Sequence, residues 1–158
     1  MIHINIIVVG KLKETYWREA ENEYLKRLSA FTKINIIELK EESFTEKDPV
    51  ETTKKKEAQK IFDELNKIKD SYVIALEEKG KQFSSVNFSK QLTQWSEINN
   101  TITLIIGGPL GLDPEIVKNA NATLSLSPLT FTHQMTRVIL LEQLYRAMMI
   151  GQNRKYHY

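Results

Sequence analysis

The sequence predicts an α/β protein: a mostly parallel sheet with helices on both faces. Three observations carry that expectation. Short β-branched runs at 2–9, 33–39, 72–76, 101–106 and 122–126 alternate with segments whose apolar residues recur at helical spacing. Most of these runs lead into a helical segment, and strands that return in parallel need such crossovers. The last helix, His133 to Met149, is apolar almost all round (Met135, Val138, Ile139, Leu140, Leu141, Leu144, Met148, Met149), so it must be covered on both sides.

Each element has its own signals. Ile2 to Val9 is β-branched and stops at Gly10, a buried strand followed by a turn. Thr15 to Leu28 carries Trp17, Ala20, Tyr24 and Leu28 on one helical face. Lys33 to Leu39 holds Ile34, Ile36 and Ile37 and reads as the second strand, whereas Lys40 to Val50 is polar, contains Pro49 and lacks a period, so it reads as a loop. Glu51 to Ile68 aligns Ala58, Ile61, Phe62, Leu65 and Ile68 as a second helix. Its Lys54 to Lys56 cluster reads as a solvated face, with an RNA contact as the alternative. Tyr72 to Leu76 is the third strand and Glu77 to Gln82 a charged turn through Gly80. Ser84 and Ser85 can cap a helix whose Phe88, Leu92 and Trp95 fall at i, i+4 and i+7. The fourth strand (Ile102, Leu104, Ile105, Ile106) runs into Gly107-Gly108-Pro109-Leu110-Gly111. Asp113-Pro114-Glu115 then reads as N-cap, N1 proline and first-turn acid of a short helix. The fifth strand, Ala122 to Leu126, runs into Ser127-Pro128-Leu129-Thr130-Phe131-Thr132.

Length and composition narrow the function. A chain of 158 residues suits one domain spanning 1–158, and 41% hydrophobic with 27% charged residues are globular values. No cysteine is present, which removes disulfides and thiolate metal sites. The chain opens on a strand and no apolar run approaches the ~20 residues of a membrane span, so a soluble, cytoplasmic protein without a membrane partner is expected. A net charge of +2 is too small to argue for nucleic acid, but the last sixteen residues hold Arg146, Arg154 and Lys155 and no acid.

Two adjacent strand ends deliver two backbone-rich loops, which is where open α/β sheets bind small molecules. The spacing G-G-x-x-G matches neither a dinucleotide fingerprint nor a phosphate loop and could be a plain βα turn. The neighbouring Ser127 to Thr132 loop, with hydroxyls and a fixed proline bend, favours a ligand read through adenine and ribose over one held by a triphosphate. Metal sites find no support among His3, His133 and His157. No nucleophile elbow and no paired carboxylates at a strand end are evident. His133, at a helix start, suits capping or packing better than base catalysis. Glu142 and Arg146 lie four apart, at ordinary ion-pair spacing. The tail Asn153-Arg154-Lys155-Tyr156-His157-Tyr158 mixes cations with rings, as single-stranded RNA contacts do, although a frayed terminus is the plain alternative.

With these residues in view the chain resembles the RlmH family, small SPOUT-class enzymes that methylate N3 of a pseudouridine in the helix 69 loop of bacterial 23S ribosomal RNA. The resemblance runs through Val8-Val9-Gly10-Lys11, Tyr72-Val73-Ile74-Ala75-Leu76 and Ile106-Gly107-Gly108-Pro109-Leu110-Gly111-Leu112. It continues through Leu124-Ser125-Leu126-Ser127, Thr130-Phe131-Thr132-His133, Leu144-Tyr145-Arg146-Ala147 and Tyr156-His157. It implies a C-terminal deep trefoil knot, a homodimer, S-adenosyl-L-methionine as cofactor and 23S rRNA within the ribosome as substrate. Cofactor contacts carry over to Leu76, Gly107, Leu126, Ser127, Pro128, Leu129, Thr130 and Phe131. Arg146, Tyr156 and His157 are the candidates for holding and activating the nucleotide, across the dimer interface. Where relatives commonly show Phe-Pro-His this chain has Phe131-Thr132-His133, and it ends at Tyr158 where they often add a basic residue. Two rival classes fit fewer features: a flavodoxin-like small-molecule enzyme gives the tail no task, and a non-catalytic RNA module leaves the strand-end loops idle.

Overall fold

Alternation of β-branched and amphipathic segments produces β1 (Ile2–Val9), α1 (Thr15–Leu28), β2 (Thr32–Leu39), α2 (Val50–Lys67) and β3 (Tyr72–Lys81). These are followed by α3 (Ser85–Ile98), β4 (Thr101–Ile106), α4 (Pro114–Asn119), β5 (Ala122–Leu124) and α5 (His133–Gly151). The structure is a computed structural model that describes residues 1–156. The five strands form one sheet in the order β2-β1-β4-β3-β5, and every neighbouring pair is parallel. All strand carboxyl ends therefore face the same edge.

The period-2 alternation sorts side chains onto two cores. Ile4, Ile6, Val8, Ile74, Ile102, Leu104 and Ile106 face α1, α3 and α5, meeting Leu28, Phe88, Leu92, Trp95, Leu140, Leu141 and Leu144. Ile7, Val9 and Ile105 point to the opposite face, where Ala58 and Ile61 of α2 and Ile116 of α4 cover them. A strand buried on both faces has no polar alternation to show, which is why these runs are nearly continuous aliphatics. Each such side chain contributes roughly 1.5–3 kcal/mol of transfer free energy on burial.

The expected caps form. The Ser84 hydroxyl accepts from the Asn87 amide at 3.2 Å, and Asp113 accepts from the Glu115 amide at 2.9 Å with Pro114 at the first helical position. Two expectations need correction. Most of the charged turn foreseen at 77–82 is instead part of β3, which runs to Lys81: Leu76 and Lys81 both stand in register with Leu124, so 77–80 bulge out of the ladder between them. The fifth strand ends at Leu124, before Leu126, because Ser125 turns its hydroxyl to the Glu78 and Ser127 carbonyls (2.9 and 3.1 Å) and bends the chain into its loop. The segment after β2 carries neither helix nor strand up to Val50, as its polarity suggested. On α5 the two-sided burial is incomplete within one chain: Leu140, Leu141, Leu144 and Ala147 are buried, Met135 is 41% exposed, and Val138, Ile139, Met148 and Met149 are half-buried.

Candidate active site

At the carboxyl edge of β4, β3 and β5 the chain encloses a cavity of about 890 Å³, a size that takes a nucleoside-scale ligand. Of the eight residues proposed for the cofactor, Leu76, Gly107, Leu126, Ser127, Leu129, Thr130 and Phe131 line it; Pro128 lies in the same loop without facing the space. Leu129 is 73% exposed, an apolar side chain left open on the cavity's flank.

The two loops are held by different means. In the first, the Gly111 amide donates to the Gly108 carbonyl at 3.0 Å, and Gly111 sits at φ +80°, a conformation that favours glycine. A Cβ at Gly107 would lie 2.9 Å from the Gly111 carbonyl carbon and 3.0 Å from the Leu112 nitrogen. The turn's own backbone therefore excludes a side chain at 107. In the second loop, Ser127 Oγ accepts from the Leu129 amide at 3.0 Å, and the Thr130 hydroxyl donates to Glu78 at 2.7 Å. The β3 bulge is thus the anchor of the 127–132 loop.

That bulge also brings charge that the sequence reading missed. Glu77 and Glu78, taken there for a turn, line the cavity together with Glu41, although no paired carboxylates at a strand end had been recognised. Their position directly after the apolar run of β3 was the available signal. Lys54 also lines the cavity and is half-buried, so it leaves the solvated face assigned to it, whereas Lys55 and Lys56 remain exposed. With Lys79, the cavity has two lysines against three carboxylates.

His133 opens α5 directly after the N-cap Thr132 and lines the same cavity. Its ring lies against Gly10, where a Cβ would come within 2.6 Å of the imidazole. Gly10 has φ +120°, so both conformation and space call for glycine there. Nδ1 is buried and has no hydrogen-bond partner among the described residues. Burial lowers the ring's pKa, opposed by nearby Glu41 and reinforced by Arg137. One turn along, Arg137 is 3% exposed and grips Glu21 of α1 with two nitrogens and Glu38 of β2 at 2.7 Å. This triad, with Arg137 and Glu21 buried and Glu38 at the surface, is unread in the sequence and ties the helix that carries His133 to α1 and β2.

The nucleotide candidates gather at the other end of α5. Arg146 pairs with Glu142 as the i, i+4 spacing allowed, and the Tyr156 hydroxyl donates to the same carboxylate oxygen at 3.3 Å. The Arg146 guanidinium lies 4.8 Å from the centre of the Tyr156 ring, which meets Tyr145 edge-on at 4.8 Å. Arg154 stands 5.5 Å over Phe31. Burial, followed by Tyr24 and Glu142, raises the Tyr156 phenol, and the Glu142 hydrogen bond raises Arg146. His157 lies outside the described residues. Arg146 follows His133 by thirteen positions, roughly 20 Å along a helix axis. Arg146 and Tyr156 are therefore together, and away from the cavity of their own chain.

The chain is similar to known proteins. The family model described as "Predicted SPOUT methyltransferase" matches residues 2–157. "Ribosomal RNA large subunit methyltransferase H" of Pseudothermotoga lettingae is 46% identical over 156 residues, 98% of this chain and 99% of that one. The protein of the same description from Clostridium acetobutylicum is 45% identical over 161 residues, 99% of each chain. Among solved structures, the tRNA (m1G37) methyltransferase of Aquifex aeolicus superposes with TM-score 0.53 at 12% identity, over 91% of this chain and 69% of that one. A Legionella pneumophila protein solved with the bound cofactor SAM superposes with TM-score 0.51 at 16% identity, over 92% and 66%. At such identities the likeness concerns the fold.

Proposed function

The chain belongs to the SPOUT methyltransferase family, and from that premise we propose that it methylates N3 of a pseudouridine in the helix 69 loop of 23S ribosomal RNA, on assembled ribosomes. It is an rRNA methyltransferase, and S-adenosyl-L-methionine is its methyl donor. The observation that carries the reading is the cavity at the carboxyl edge, lined by both strand-end loops. Its chemistry suits the donor: aliphatic side chains for a base, two loops that bring main chain to the cavity, and a surplus of carboxylates for a ligand bearing a positive sulfonium. Leu76, Gly107 and residues 126–131 would hold it, with Pro128 stiffening the loop. A bound sulfonium supplies an electrophilic methyl group. What remains for the protein is to place the nucleophilic nitrogen in line and to ease loss of its proton.

Arg146, Tyr156 and His157 take that second task. A guanidinium and a phenol beside the base stabilise the anion that forms as N3 loses its proton. Because Arg146 lies on α5 roughly 15 Å beyond Thr136, the last α5 residue lining the cavity, and Tyr156 packs on Arg146, they serve the cavity of a partner in a homodimer. The half-exposed apolar side of α5 supports that assembly, since two such sides can cover each other. The same reading has one domain over 1–158, a C-terminal trefoil knot and a cytoplasmic enzyme that works without a metal. No helix among the described residues is long and apolar enough to cross a membrane.

The test has two stages. Calorimetry with S-adenosylmethionine should give one site per chain, and tritium from labelled donor should pass to intact ribosomes in preference to naked rRNA. Donor binding without transfer to either substrate would overturn the reaction assigned here.

A further inference from the structure

We propose that the corner joining β1 to α1 is a further RNA-docking surface, one that takes the phosphates and an unpaired base of the strand flanking the modified nucleotide. The inference rests on the reaction assigned above and adds to it a surface outside the cavity and the tail. The corner begins at Gly10, which packs on the cavity-lining His133, so it borders the place where the substrate base must arrive.

Its backbone is fixed in advance. The Arg18 guanidinium turns inward, donating from Nη1 to the carbonyls of Leu12 (3.1 Å) and Lys13 (2.5 Å) and from Nη2 to Thr15 Oγ1 (3.2 Å). Leu12 anchors the loop at 6% exposure. Lys11 and Lys13 on either side of it are exposed. The Gly10 amide donates to the Leu39 carbonyl at 2.9 Å, which brings exposed Lys40 alongside at the end of β2. Among the described residues none of these three lysines forms an ion pair. Glu14 and Glu19 lie on the same segment and Glu41 and Glu42 follow Lys40, Glu42 being paired with Lys60, so the attraction for phosphate is concentrated at Lys11 and Lys13.

The corner also presents rings. Tyr16 is 63% exposed and lies 5.4 Å from Trp17, tilted by 54°. A lone exposed aromatic needs no explanation. Paired rings beside three unpaired cations, on the sheet edge where the cavity opens, are the composition of a single-strand platform: cations track the backbone while a base stacks on the exposed ring.

Charge reversal tests the surface without touching the cavity. Lys11→Glu/Lys13→Glu, Tyr16→Ala and a matched control at remote exposed lysines, Lys69→Glu/Lys90→Glu, are compared with wild type. Donor affinity, dimer mass, ribosome binding and methyl transfer are measured across about 50–200 mM salt. The double reversal should weaken ribosome binding and raise KM about tenfold or more while kcat stays within about twofold. It should also flatten the salt dependence by roughly 0.7 per lost contact. Tyr16→Ala should raise KM about tenfold with the salt slope unchanged, as lost stacking does. The control should behave as wild type. A double reversal with wild-type KM and salt slope would overturn the proposal, and a monomeric Tyr16→Ala would overturn the stacking by showing that the ring serves a second copy of the chain. A wild type that binds ribosomes but transfers no methyl group would count against the reaction and leave the surface tested by binding.

Discussion

The two ends of α5 are built by opposite strategies. At its start, His133 borders a cavity lined by two strand-end loops, aliphatic side chains and charged residues of the β3 bulge, fixed by glycine turns and serine hydroxyls. At its finish, backbone hydrogen bonds from Asn153 and Arg154 turn the tail, and Arg146, Glu142, Tyr145 and Tyr156 form a cluster of side-chain contacts. Backbone walls read a ligand of fixed shape and tolerate much sequence change outside their glycines. A cluster of cation, acid and phenol can shift charge toward a base, and every member of it matters. Under the proposed function, binding and activation are separated along α5, and a partner chain is what would rejoin them.

The sharpest way to break that comparison is to remove one end. Deleting residues 153–158 should lower methyl transfer to ribosomes by about three orders of magnitude or more, the combined worth of positioning and of proton and charge stabilisation. Donor affinity should stay within about twofold, since no cavity-lining residue is removed. Full transfer by a truncated, dimeric protein would show that the tail has no part in the reaction. A smaller cut, Arg146→Ala, should cost about a hundredfold in kcat at unchanged donor affinity. Lysine should restore little, because it lacks the planar fork. Stability should fall by only about 1 kcal/mol, because Glu142 keeps Gln143 Nε2 at 2.6 Å and the Tyr156 hydroxyl as donors.

At the cavity end the largest effect should come from beneath the loops. Arg137→Met leaves Glu21, 8% exposed, without its counter-charge and should destabilise the fold by about 3 kcal/mol in urea titration. An unchanged midpoint would mean that the triad carries no net stability. Gly107→Val should lower donor affinity about a hundredfold and also reduce Tm, because its Cβ meets loop backbone that cannot yield cheaply. Gly108→Ala should be mild, since its Cβ comes no nearer than 3.3 Å to the Val9 side chain. Equal effects from the two glycines would refute a cavity wall set by turn closure.

Much of the first end was legible because its signals are local. Strand periodicity, Gly107 to Gly111, and the caps at Ser84 and Asp113 each act within a few residues, and they form as read. What escaped is long-range. Glu77 and Glu78 read as a turn because nothing nearby reveals that Leu76 and Lys81 share the partner Leu124. Lys54 read as solvated because its own helix does not show which loops it faces. Arg137 joins residues 116 and 99 positions away, a distance over which spacing carries no information. Gly107 was legible as a loop glycine, but such a glycine looks the same in sequence whether ligand or backbone excludes the side chain. At the second end the residue types were legible and their separation from the cavity was not, since the length of α5 matters only once its start is tied to the sheet edge.

The smallest effect separates the ends by pH. Burial lowers the His133 pKa below its ordinary 6.5. Above that value the ring is neutral in both folded and unfolded chains and stability does not depend on it. As pH falls through 6.5 the unfolded ring takes up a proton that the buried ring resists, so stability is lost until the folded ring protonates too. Glu57, buried and raised above 4.5 by desolvation, works in the opposite sense, because its protonation in acid relieves a buried charge. Comparing wild type with His133→Gln cancels Glu57 and isolates the histidine. Between pH 7 and 5 the wild type should lose stability relative to the variant. Tyr156 titrates above 10 and cannot contribute in that window, so Tyr156→Phe should leave the pH profile unchanged. Parallel profiles for wild type and His133→Gln would show that the ring is solvated in the folded protein, and that the cavity end is looser than its backbone suggests.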